Sequence, residues 1–78
     1  MDRSARIDAL LATLNAAEVG SLDSIAAKLR QAQQELEALD EPELAARAAE
    51  VAQALARGDV AEFKRGRAFL QSKVGHIR

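Results

Sequence analysis

Residues 22–39 read LDSIAAKLRQAQQELEAL, and this stretch decides the fold class. Leu22, Ile25, Leu29, Ala32, Leu36 and Leu39 recur at alternating steps of three and four, which places them on one stripe of an α-helix. Asp23, Lys28, Arg30, Gln31, Gln34, Glu35 and Glu37 occupy the other faces. Such a helix is not stable alone in water, and its stripe must bury against other helices.

The flanking sequence supplies those helices. Upstream, Ile7, Leu10, Leu11 and Leu14 form an apolar face; Ser4 is the expected N-cap, with an end near Ala17 or Glu18 and Gly20 as the stop. Asp2 and Arg6 form a weak i, i+4 pair. Ser21 is placed to cap the second helix, with Asp23 favourable at its positive end. Downstream, Asp40-Glu41-Pro42-Glu43 reads as an N-cap, a first-turn proline and a capping-box glutamate. Leu39 and Leu44 have the spacing of a hydrophobic staple across that junction.

The third helix is expected from about Glu41 to Arg57, with Leu44, Ala48, Val51 and Leu55 on its buried face. Beside them runs a small-residue stripe, Ala45, Ala49, Ala52 and Ala56, which either admits a neighbouring helix or reflects alanine's helix propensity. Asp59-Val60-Ala61-Glu62 is a second capping box. The fourth helix is expected to run to about Val74 and stop at Gly75, burying Val60, Phe63, Leu70 and Val74; Ile77 continues the rhythm past that stop. Arg67 falls within that stripe, where an arginine ordinarily snorkels outward along its aliphatic stem; pairing with a partner carboxylate is the alternative. Gly66, inside the same helix, suggests close packing or a kink.

The expected object is therefore all-α: one domain over residues 1–78, a small antiparallel four-helix bundle with very short connections. A junction turned toward a right angle is the alternative topology. In the bundle, Glu35, Glu37, Asp40, Glu41 and Glu43 share one end with Arg3, Arg6, Lys73 and Arg78, so much of the charge asymmetry is expected to be internal. Alanine makes up nearly half of the 49% apolar content, so the core is small and self-association or a partner is expected.

Little in the chain points to catalysis. There is no cysteine, and His76 has no second histidine with which to build a transition-metal site. His76 is expected to be an exposed residue beyond the last helix. The acids from Glu35 to Glu43 lack the spacing and glycine of a calcium loop. No serine has a credible histidine partner, and no phosphate-binding glycine loop occurs. No catalytic, cofactor-binding or metal-ligating set is expected. Ala9 to Leu14 is short for a signal-peptide core and is preceded by Asp8; no run reaches the length of a membrane span; a cytoplasmic protein is the default.

Residues 57–78 carry Arg57, Lys64, Arg65, Arg67, Lys73 and Arg78 against only Asp59 and Glu62. Lys64, Arg65, Arg67 and Lys73 scatter around a helical projection and do not line one face, which disfavours nucleic acid. Phe69 lies about 130° from the centre of its helix's apolar stripe, beside Glu62, Arg65 and Lys73. It is either a partner anchor or packed on the flank of an adjacent helix.

The functional expectation is a non-enzymatic protein–protein interaction or assembly module. Its partner-binding candidates are Arg65, Phe69 and Lys73 with Ala45, Ala49, Ala52 and Ala56. The competing class is a small nucleic-acid-associated regulator using Lys64, Arg65, Arg67, Lys73 and Arg78.

Overall fold

Four helices form in the order the periodicity predicts. A computed structural model describes residues 2–17 and 20–77 and contains α1 (Arg3–Ala16), α2 (Leu22–Ala38), α3 (Pro42–Ala56) and α4 (Val60–His76). Each helix packs on two neighbours, α1/α2, α2/α3, α3/α4 and α4/α1, while the diagonal pairs stay apart among the described residues. This closed ring is the up-down-up-down bundle, not the right-angled alternative. Among the described residues, no helix is long and apolar enough to cross a membrane.

Local chemistry sets the helix ends. Ser21 caps α2 by accepting from the Ser24 amide at 3.1 Å, and Asp59 caps α4 by accepting from the Glu62 amide at 3.1 Å. At α1 the cap is Asp2, not Ser4: its carboxylate accepts from the Ala5 amide at 2.8 Å. Both residue types cap well, but the aspartate starts the helix earlier and sets a negative charge against its positive end. Asp2 thus serves as the cap, and Arg6 reaches Glu35 instead. The expected α1 end extends to Glu18, which lies outside the described residues; within them the helix ends at Ala16, and Gly20 follows with φ +111°.

The α2/α3 junction differs from its sequence reading. Asp40 does not cap α3; it ends α2. Its φ is +62°, its amide donates to the Glu37 carbonyl at 3.1 Å, and the Glu41 amide donates to the Leu36 carbonyl at 2.9 Å. These two bonds make a Schellman C-terminus with aspartate in the left-handed position. The α3/α4 junction repeats it: Gly58 has φ +79°, its amide donates to Leu55, and the Asp59 amide donates to Ala54. In each junction the next residue, Glu41 or Asp59, opens the following helix. Glu41 makes no side-chain cap bond; Pro42, the first residue of α3, has no amide hydrogen to satisfy. With Glu41 as cap, Leu39 and Leu44 no longer hold the staple positions. At the far end, α4 runs through Gly75 to His76, since a glycine permits a stop without compelling one.

The core holds Ile7, Leu10, Leu14, Ile25, Leu29, Leu36, Leu39, Phe63, Leu70 and Val74. Leu22 and Val60 were expected there but are 67% and 54% exposed. Each is the first residue of its helix, at the rim where neighbouring helices end. On α3 the inward line is Ala45, Ala48, Val51 and Ala54, with Leu44 and Leu55 only partly buried. Small residues facing inward let α3 lie close to its neighbours. A Cβ placed on Gly66 of α4 would sit 2.4 Å from Val51 Cγ2, so close packing explains this glycine. Arg67 does not snorkel; it is 9% exposed. It stands one turn before Gln71, which bonds Asn15 of α1 at 2.6 Å, and so lies on the side that α1 covers.

The shared charged end forms in part, through the arginines of α1. Arg3 donates to the Leu39 carbonyl and pairs with Glu41, both at 3.1 Å, and Arg6 pairs with Glu35 at 3.5 Å. Glu37 accepts instead from Gln33 on its own helix. Arg78 lies outside the described residues.

Candidate functional site

The α3/α4 seam is antiparallel, and the Val51–Gly66 contact fixes its register. Four residues back along α3 and three forward along α4, Arg47 meets Phe69. The Arg47 guanidinium carbon lies 4.6 Å from the Phe69 ring centroid, and Lys73 Nζ lies 5.6 Å from the same centroid. Both distances fall within cation–π range. The ring thus packs against the adjacent helix and still presents 37% of its surface to solvent. Arg47 also pairs with Glu50 at 3.3 Å.

Toward the C-terminus of α4 the seam opens into a groove of about 500 Å³. Leu44, Phe69 and Ile77 give it apolar walls, and Glu43, Glu50, Arg47, Lys73 and His76 give it a rim of both signs. His76 is the last residue of α4, not a residue beyond it; it is exposed, and its Nδ1 lies 3.0 Å from the Ser72 carbonyl, which fits an Nδ1–H donor. On the other side of Phe69 a smaller recess of about 140 Å³ is bounded by Arg47, Glu62, Arg65 and Gly66. Arg65 and Glu62 pair there at 3.2 Å. Arg65, Phe69 and Lys73 therefore lie along one continuous seam.

The alanine candidates do not join them. Ala45 is in the core, Ala49 and Ala52 are half-buried, and Ala56 is exposed. Ala52 and Ala56 open onto a different groove, about 300 Å³, between α2 and α3. Leu22, Asp23, Ala26, Arg30 and Leu55 complete its lining. The basic set offered for nucleic acid does not share one exposed surface: Arg67 is buried, whereas Arg65 is exposed on the seam beside Glu62.

Sequence reasoning missed Arg47. Its signal was the seam register, legible only once Gly66 is placed opposite Val51. Among the described residues, no three of His, Cys, Asp and Glu stand close enough to hold a metal ion. In comparisons with known protein families, curated proteins and solved structures, the chain matches none.

Proposed function

We propose that the chain is a non-enzymatic protein–protein interaction or assembly module that works through exposed helix faces. The observation that carries this reading is the setting of Phe69. It is a large aromatic, 37% exposed, held by Arg47 and Lys73 at the mouth of an apolar-walled groove. Two cations over one ring restrict its rotamers before a partner arrives, which lowers the ordering cost of binding. Aromatic and arginine side chains are also the commonest strong contributors at protein interfaces.

The fitting partner is an amphipathic segment. Its apolar side chain packs on Phe69 and the Leu44–Ile77 wall, and its carboxylates face Arg65 and Lys73. Glu43 and Glu50 on the rim set the orientation, since they repel the same carboxylates if the segment is reversed. The cysteine-free chain suits a reducing compartment, and we place the module in the cytoplasm.

The test is site-directed photocrosslinking from position 73 in the source cell, followed by titration of the captured protein. A partner whose affinity falls at least ~10-fold with Phe69→Ala, the usual mark of an interface anchor, supports the reading. A captured set that is the same for wild type and Phe69→Ala refutes it.

A further inference from the structure

The α2/α3 groove carries a self-complementary pattern. Leu22 projects at its rim, and Ala26, Ala52, Leu55 and Ala56 form its apolar surface. Asp23 and Arg30 stand at opposite ends of the α2 edge. They are seven residues apart, roughly 10 Å along the helix, too far to pair with each other. Neither takes part in the ion pairs formed among the described residues.

We propose that this groove is the two-fold interface of a homodimer. The inference rests on the reading of the chain as an assembly module and names the partner for one face: a second copy. A two-fold axis passing between Ala26 and Ala27 sets α2 of each copy antiparallel to α2 of the other. Asp23 of one copy then faces Arg30 of the second, and the same contact recurs by symmetry. This is the self-complementarity that an isologous interface requires. Leu22, adjacent to Asp23, comes over the Arg30 end of the second copy's groove, where Ala52 leaves room for it. The small Ala26 side chains at the centre let the two helices approach closely. A single groove is a small contact, so the affinity falls in the micromolar range.

Sedimentation velocity across micromolar to millimolar concentrations tests this with charge-reversed variants. Asp23→Arg alone and Arg30→Asp alone each place like charges together twice and weaken dimerisation by roughly 10-fold or more. Mixed in equal amounts, the two variants restore both attractive contacts and form a heterodimer. The double variant restores them within a homodimer. Leu22→Glu, at an exposed position that leaves the fold intact, also abolishes association. Far-UV circular dichroism at low concentration verifies that each variant is folded.

A wild-type chain that stays monomeric throughout, single reversals that associate like wild type, or a mixture that fails to recover each overturns the proposal. Phe69→Ala is expected to leave the dimer unchanged. Loss of association with Phe69→Ala but not with the charge reversals overturns this interface and moves self-association to the α3/α4 face. A monomeric wild type that still captures a Phe69-dependent partner defeats the dimer alone and leaves the interaction reading standing.

Discussion

Gly66→Ala tests the tightest contact in the bundle. At an open helical position this change stabilises by about 1 kcal/mol, because alanine is the better helix former. Here the new Cβ would lie 2.4 Å from Val51 Cγ2, roughly 1 Å inside the ~3.5 Å at which carbon atoms rest. Valine is stiff about χ1, and both residues sit on packed helices, so relief requires the helices to part. Overpacking costs ~1–3 kcal/mol, and a clash this deep belongs at the upper end. The net effect is a loss of about 2 kcal/mol, or about 10 °C in Tm for a chain of this size.

Val51→Ala alone also destabilises, by about 2 kcal/mol, through lost burial and a residual cavity. In the double variant the added methyl occupies the vacated space, and Gly66→Ala becomes stabilising by about 1 kcal/mol. The coupling is therefore about 3 kcal/mol, at the top of what neighbouring residues show. Urea melts of the four proteins at one low concentration, which keeps association out of the comparison, measure it. A Gly66→Ala variant that is stabilised equally in both backgrounds refutes the close α3–α4 approach, and with it the register that pairs Arg47 with Phe69.

Asp40→Gly is expected to stabilise by roughly 0.5–1 kcal/mol, because it relieves the left-handed strain of an L-residue at a Schellman terminus; a lower urea midpoint would return Asp40 to the role of α3 cap. Leu29→Ala is expected to cost ~2–5 kcal/mol, while Leu22→Ala changes monomer stability by less than ~0.5 kcal/mol; equal effects in denaturant melts would contradict their opposite burial. Duplex DNA is expected to bind only weakly at physiological salt, given a net charge of −1 and a buried Arg67; tight, steeply salt-dependent binding in fluorescence anisotropy, lost on Arg65→Glu with Lys73→Glu, would promote the nucleic-acid reading.

Much of the architecture was legible because period and caps agreed: the Leu22–Leu39 rhythm, Ser21 and Asp59 point to the same helices. Asp40 was misread because aspartate suits both an N-cap and a left-handed C-terminus, and Pro42 two residues on favoured the first. Comparison with the Gly58 junction distinguishes the two roles. On α3 the leucine face and the alanine face are neighbours on the projection. Periodicity alone does not choose between them; the inward line, Ala45, Ala48, Val51 and Ala54, runs between the two and leaves Ala49 and Ala52 half-buried and Ala56 exposed. The seam was half-legible. Phe69, Arg65 and Lys73 share one helix, so their closeness is readable from spacing, whereas Arg47 comes from another helix and depends on register.

The ring of helices also imposes an order on folding. Three of its four packed pairs join helices adjacent in sequence, and only α1/α4 brings distant segments together. Local contacts of this kind favour folding in microseconds to milliseconds. The α2–α3–α4 hairpins, linked by two hydrogen-bonded junctions, need no long loop closure. The seam where Asn15 meets Gln71 is expected to close last and open first. In native-state hydrogen exchange, the amides of α1 accordingly exchange through a sub-global opening in which α2, α3 and α4 stay packed.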